Sequence, residues 1–466
     1  MRYRSTRGEL TAHSPNFSDI LLAGLADDGG LYMPEFWPQI SPQTLRDWRR
    51  LSYPDLAAEV ISLFTAGSID LATLRTMTHD AYKHFDHAAV APLSEVEQDL
   101  YALELFHGPT LAFKDMAMQM LGRLFDHVLT ERNQNVTIVG ATSGDTGSAA
   151  IEACRGRERL SVVILHPKGR TSEVQRRQMT SVLDDNILNI AVDGDFDTCQ
   201  DIVKAMFADK AFRDDVSLSA VNSINWARIA AQIPYYIRAA LALGAPDREV
   251  SFSVPTGNFG NVLAAWAAKQ MGLPIKRLCI GSNRNDILTR FLVDNDMSVR
   301  KVEPSLSPSM DIQVSSNFER LLFELLDQDP VRCATIMKDF RQTGRMAVPQ
   351  DAWMRMKESF DGMTLSDEQT SAAMRKFYAE SLYLADPHST IGLAVGKEFK
   401  EPGIPMVAAA TAHPAKFPDA VKAATGLDPK LPPHLADLFE REERFDSLGN
   451  ELATIQQAVR DHMKRK

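Results

Sequence analysis

A lysine stands in HGPTLAFKD (residues 107–115) directly after a Gly-Pro turn and the apolar residues Leu111, Ala112 and Phe113, and directly before an aspartate. Burial disfavours an ammonium, so a lysine sheltered in this way holds more free amine, the form that attacks a carbonyl carbon and makes a Schiff base. Taken alone, Lys114 is equally a solvated residue at a helix start, as most lysines are. The other polar loops must decide. In GATSGDTGSAA, Thr142, Ser143, Gly144, Asp145, Thr146 and Gly147 form a turn that opens a helix, where backbone N–H groups and hydroxyls suit a carboxylate or phosphate. The same residue types also make an ordinary helix cap. Gly140, Gly144 and Gly147 miss the G-x-G-x-x-G spacing of a dinucleotide site. In PTGNFGNVLAAW, Gly257 and Gly260 let backbone approach an anion at a second helix start, or simply build a tight turn. No Walker A sequence occurs. A third loop, ATAHPAKFPD, carries Thr411, His413 and Lys416.

These loops share one architectural position. From about residue 97, β-rich runs alternate with helical stretches: LYALELF, VTIVGA, LSVVILHP, ILNIAVDG, LSAVN, EVSFSVP, IKRLCIGS and IPMVAAAT each lead into a helical pattern. The alternation predicts an α/β fold of parallel sheets with helices on both faces. Each polar loop then falls at the carboxyl end of a strand, where such sheets bind ligands. Between about 305 and 380 the strand pattern stops, and NFERLLFELL, VRCATIMKDF, DAWMRMKESF and TSAAMRKFYAES read as a helical insertion. The expected division is an N-terminal, mostly helical domain at 1–95, a small mobile α/β domain at 131–223, the insertion at 305–380, and a large α/β domain from 96–130, 224–304 and 381–466.

At 466 residues the chain exceeds one ordinary core and can bury a deep site. Its 44% hydrophobic and 24% charged residues are those of a soluble globular protein. The net charge of -10 argues against nucleic acid or an anionic membrane as the main partner, so an anionic ligand must be drawn in by local features. The four cysteines lie far apart without a C-x-x-C pair, which gives neither a zinc site nor a disulfide framework and points to the cytoplasm. MRYRSTRGEL has no apolar targeting core, and no run approaches a membrane span.

Together, YRSTRG, GLADDGGLYMPE, FHGPTLAFKDMAMQ, GATSGDTGSAA, HPKGRTSEVQRRQM, VNSINWARIAAQIPYY, PTGNFGN and ATAHPAKFPD resemble the threonine synthase family. The resemblance is to its longer bacterial and fungal type, within the fold-type II pyridoxal-phosphate enzymes. It implies that Lys114 carries pyridoxal 5'-phosphate as a Schiff base and, once freed, is the catalytic base. It implies that Gly257, Asn258, Phe259, Gly260 and Asn261 hold the cofactor phosphate in the large domain. Thr411 is implied to face the pyridine nitrogen, a neutral partner that favours elimination and replacement over transamination. Thr142, Ser143, Asp145 and Thr146 map onto the loop for the substrate carboxylate, beside the cofactor phenolate, which an aspartate repels unless a proton is shared. Asn222 and Arg228 map onto the substrate-phosphate site, where a guanidinium grips phosphate with two parallel bonds. Lys168, Arg170 and Ser172 are candidate additions there, and His388 and Ser389 are candidates to face the cofactor.

The implied reaction is the metal-free conversion of O-phospho-L-homoserine and water to L-threonine and phosphate, by a cytoplasmic monomer or homodimer. One alternative is a serine or threonine dehydratase, or a phospho-lyase releasing 2-oxobutyrate; a second phosphate site at Asn222 and Arg228 argues against the simple dehydratase. The other is a non-catalytic relative, which would usually have lost the lysine.

Overall fold

LSVVILHP lacks the alternation of a half-solvated strand and VSFSVP sets serines between Val, Phe and Val, yet both are buried along their whole length, as strands covered on both faces must be. The computed structural model of the chain describes all residues but Ala12, Ser143, 220–222 and Lys466, together with the side chain of Arg465. In chain order its strands are β1 (Tyr3–Ser5), β2 (Tyr32–Pro34), β3 (Leu93–Glu97), β4 (Leu100–Glu104), β5 (Val136–Ala141), β6 (Leu160–Pro167), β7 (Ile187–Val192), β8 (Leu218–Ser219), β9 (Val250–Pro255), β10 (Ile275–Ser282), β11 (Met297–Ser298), β12 (Arg345–Met346), β13 (Phe360–Thr364), β14 (Met406–Ala410) and β15 (Asp446–Leu448). A six-stranded sheet runs β13-β10-β9-β14-β4-β3, and a five-stranded sheet runs β15-β7-β6-β5-β8. Every pairing in the second is parallel. In the first, the edge strand β3 alone turns back antiparallel on β4.

Three features depart from the sequence reading. The stretch expected to be a helical insertion also carries β13, whose FDGMT is too short and too poor in β-branched residues to show as a strand; its register comes from β10. Asp446–Leu448 pairs with β7, and the helix Leu452–Arg465 packs Ile455 and Val459 against Ile190, Val192 and Met206. The chain's last segment therefore joins the five-stranded sheet and not, as expected for 381–466, the six-stranded one. The third is β3, whose first three residues lie inside the expected N-terminal domain.

The helix Lys114–Arg132 links the two sheets. Its Leu121, Leu124, Phe125 and Val128 lie in one apolar core with Leu103 and Val254 from the first sheet and Ile138 and Val162 from the second. Gly122 makes this packing possible, since a Cβ there would lie 2.2 Å from the carbonyl oxygen of Ala153 on the helix Asp145–Cys154. The N-terminal extension reaches the same region from outside. Tyr3, Trp37 and Phe64 surround Trp226, the first residue of the helix Trp226–Ala230, with ring centroids 6.3, 5.9 and 5.6 Å away. That helix carries Arg228.

Candidate active site

The turn before Lys114 is tied down from both sides. Asp115 accepts the N–H and the hydroxyl of Thr110 at 2.8 and 2.7 Å, which folds the Gly-Pro turn back onto the helix start. The N–H of Phe113 donates to the carbonyl of Thr411 at 2.8 Å, and the N–H of His413 donates to that of Leu111 at 3.0 Å. The aspartate beside the lysine thus locks the turn, and the lysine is aimed inward. Burial pulls the Lys114 pKa below its usual range against the pull of Asp145, and the nearby charges of Lys416 and Arg228 push the same way.

Asp145, the first residue of its helix, receives four side chains. Lys416 Nζ and Gln175 Nε2 reach Oδ1 at 2.8 and 2.9 Å, while Ser309 Oγ and Lys114 Nζ reach Oδ2 at 3.2 and 3.5 Å. Burial alone would raise the pKa of this carboxyl, but Lys416 and Lys114 hold it well below the usual carboxylate range. Gln175 is steered by Ser172, whose hydroxyl donates to Gln175 Oε1 at 2.9 Å and also caps the helix Glu173–Thr180. Thr142 serves the loop itself, accepting the N–H groups of Gly144 and Gly147, both at 3.0 Å. Thr146 is half-buried, and Ser143 and Asn222 lie outside the described residues.

The loop after β9 forms an open anion cradle. Phe259 takes the left-handed conformation, with φ of 63°, and the helix Gly260–Gln270 starts without a side-chain cap, so its first N–H groups are free for a ligand. A Cβ on Gly257 would stand 3.1 Å from the carbonyl oxygen of Ser309 and 3.2 Å from Met310 Cα. Asn317 holds the Asn258 carbonyl through its N–H and its amide, at 3.1 and 3.0 Å. Asn261 Oδ1 takes the hydroxyls of Tyr235 and Tyr236 at 2.5 and 2.6 Å, which fixes that side chain within the first turn.

Arg228 is buried, its Nε and Nη1 lack a partner among the described residues, and burial brings its pKa down to about 10, so it stays charged near neutral pH. Thr411 is buried, its N–H donating to Ser389 Oγ at 2.9 Å, and among the described residues no protein group engages its hydroxyl. His388 is a strut: Nδ1–H donates to Asp386 at 2.7 Å, and Nε2 accepts the N–H of Ser309 at 3.2 Å. Lys168 is exposed and pairs with Asp193 at 3.3 Å, and Arg170 is exposed. Ser309 and Gln175 escaped the sequence reading, because SPSMDI lies where only helices were expected and Gln175 has no chemistry of its own.

An amine of depressed basicity thus has near it a guanidinium with two nitrogens unpartnered among the described residues, and, through Ser309, an uncapped helix start, a set that suits an aldehyde and two anionic groups. Residues 2–82 match the family described as threonine synthase N terminus, residues 88–339 that described as pyridoxal-phosphate dependent enzyme, and residues 389–459 that described as threonine synthase, C-terminal. A threonine synthase of Pseudomonas aeruginosa is 53% identical over 467 aligned residues, covering 100% of this chain and 99% of its own. The chain belongs to the threonine synthase family. The crystal structure of a PLP-bound threonine synthase from Brucella melitensis is 50% identical, with a TM-score of 0.97 over 99% of both chains. That of a yeast threonine synthase is 38% identical with a TM-score of 0.95, covering 100% of this chain and 99% of the other. The residues present fit a threonine synthase cofactor with an aldehyde and a phosphate: Lys114 for the first, the cradle at Gly257–Asn261 for the second.

Proposed function

We propose that this chain is a pyridoxal-phosphate-dependent lyase that converts O-phospho-L-homoserine and water to L-threonine and phosphate. The observation that carries the reading is that two separate anion sites serve one buried amine. The uncapped helix at Gly260 is neutral and suits a phosphate that stays; the charged Arg228, with Nε and Nη1 unpartnered among the described residues, suits one that leaves.

In this reading Lys114 and Gly257–Asn261 hold the cofactor, with the Thr411 hydroxyl toward its ring nitrogen. When bound, pyridoxal phosphate draws electrons from the substrate α-carbon, which makes the α-proton and then a β-proton removable. Lys114 takes the α-proton, and its lowered pKa keeps the amine available as a base. Arg228, with Asn222, holds the substrate phosphate as it departs from the γ-carbon and its charge grows. Thr142 and Thr146, at the start of the Asp145 helix, orient the substrate carboxylate together with Ser143. A proton returns to the γ-carbon, and water then adds at the β-carbon to give threonine.

The finer description belongs to the same proposal. The five-stranded sheet with the C-terminal helix forms the small unit that closes on the large one, and the protein works in the cytoplasm as a monomer or homodimer, without nucleic acid or membrane. Free, buried cysteines suit a reducing compartment, and no helix among the described residues is long and apolar enough to cross a membrane.

The test is to incubate the purified protein with O-phosphohomoserine and identify the products by mass. L-Threonine with equimolar phosphate supports the reading. 2-Oxobutyrate in its place makes the protein a phospho-lyase, and no product makes it a non-catalytic relative.

A further inference from the structure

Lys416 is a lysine with no exposure at all, on a loop that the proposed chemistry uses only through Thr411. Its ammonium is held by Asp145 Oδ1 at 2.8 Å and by the Thr110 carbonyl at 2.6 Å, and that carbonyl also takes Gln178 Nε2 at 3.2 Å. A buried cation of this kind persists only where its partners are fixed. The consequence falls on Asp145. With Oδ1 taken by Lys416 and Gln175, and Oδ2 taken by Ser309 at 3.2 Å, Lys114 is left with the longest of the four contacts, at 3.5 Å.

We propose that Lys416 is a positioning residue that acts on Lys114 through Asp145: by occupying the carboxylate, it stops Asp145 from closing on the amine that must lose a proton before attacking the cofactor aldehyde. The inference rests on the cofactor role of Lys114 given above. In the attack the neutral Nζ contributes its electron pair to the aldehyde carbon, and the aldehyde oxygen leaves as water with the two amine hydrogens. An ammonium has no such pair. A carboxylate with Lys114 as its one cationic partner would keep that ammonium, whereas one already neutralised by Lys416 does so far less. The charged and titratable groups facing this pair are Lys114 and Asp115 on the Lys114 helix, Arg228 on its own helix, and His388, which reaches Asp145 through Ser309. Arg228 and Lys416 both disfavour the ammonium of Lys114, and Asp145 opposes them.

The experiment is reconstitution of cofactor-free full-length protein with pyridoxal phosphate, followed by the yellow absorbance of the bound cofactor across a range of pH. Lys416→Met should shift the pH profile of the uptake rate upward and slow uptake at neutral pH on the order of tenfold for each unit by which the Lys114 pKa rises. Asp145→Asn should shift the profile downward. The double variant Asp145→Asn, Lys416→Met should stay within about threefold of Asp145→Asn, because with no carboxylate to occupy Lys416 has nothing to act through. A double variant as slow as Lys416→Met overturns the inference, as does an unshifted profile in Lys416→Met. If Lys416→Met alone does not fold, the pair Asp145→Asn and double variant decides: rates within about threefold support action through Asp145, and a gap of about tenfold refutes it. Failure of wild-type protein to become yellow would instead remove the cofactor reading on which the inference stands.

Discussion

Replacing Arg228 by methionine should make the ligand-free protein more stable and the enzyme much worse. The side chain is 5% exposed, and two of its N–H-bearing nitrogens find no acceptor among the described residues. A buried polar group left in that state costs about 1–3 kcal/mol, more when charged. Methionine fills most of the same volume with a flexible apolar chain. The ligand-free variant should therefore gain about 1–3 kcal/mol, read as a rise of roughly 1–2 °C in melting temperature per kcal/mol in a chain of this size. Inorganic phosphate should raise the melting temperature of the wild type and leave that of the variant unchanged. In turnover the variant lacks a donor aimed at a phosphate whose charge grows as it leaves, so kcat/KM for O-phosphohomoserine should fall about 100- to 1,000-fold. Colour and cofactor affinity should persist. Thermal unfolding with and without phosphate, and a phosphate-release assay, make the check. A variant that melts lower without ligand yet still responds to phosphate refutes the argument; one that purifies colourless but folded assigns Arg228 to the cofactor phosphate and exchanges the two sites.

Lys114→Ala should bind pyridoxal phosphate without a covalent link and lose turnover, and borohydride treatment of the loaded wild type should leave the reduced cofactor on the peptide containing Lys114; recovery on another lysine would sink the assignment. Gly257→Ala should place its methyl against Ser309 and Met310, at 3.1 and 3.2 Å, weakening cofactor binding by roughly tenfold to a hundredfold; unchanged affinity by equilibrium titration would count against a cradle there. His107 is half-buried, which opposes its charging, but Glu104 at 2.8 Å and Asp86 at 2.7 Å outweigh that and raise its pKa. Its stabilising contribution is therefore complete below the unfolded value of about 6.5 and disappears as pH rises through the raised folded value. His107→Gln should flatten the pH dependence of unfolding over that window, and a profile parallel to the wild type's would contradict the sign.

The sequence carries the core strands and the site loops because both are written in local chemistry. LSVVILHP is a nearly unbroken apolar run and VSFSVP is apolar at alternate positions, and the loops after β5, β9 and β14 collect Gly, Ser, Thr and Asp at helix starts, where backbone donors are unpaired. What escaped is set by partners distant in sequence. FDGMT becomes β13 because β10 presents an edge to it, and DSL becomes β15 because β7 does. Ser309 enters the site because Asn283 and Asn285 both bond Asp311 Oδ1, at 2.7 and 3.0 Å, shaping the polar loop that His388 then braces. Gln175 enters through Ser172, and Lys416 acquires a role only when Asp145 is seen to share it. None of these signals is periodic, so none is visible along the chain.

The cluster around Lys114 brings two cationic side chains, Lys114 and Lys416, to one buried carboxylate, Asp145, with a third, Arg228, close enough to disfavour the charge on Lys114. Isolated charges in an interior are expensive, and proteins keep them where a partner arrives later or where charge is used in chemistry. Here both conditions are met in sequence under the proposed function. Joining the aldehyde to Lys114 requires that one of the three cations first give up its proton, and Asp145 then remains satisfied by Lys416. Arg228 is still unpaired, and the ligand that completes it must bring its own negative charge. The neutral, backbone-built cradle at Gly257 discriminates the other way: it holds a phosphate by geometry without adding charge, so the cofactor stays while the leaving group is drawn to the guanidinium. Exchanging the two would put the strongest electrostatic field on the phosphate that never reacts, where equal binding of ground state and transition state gains no rate.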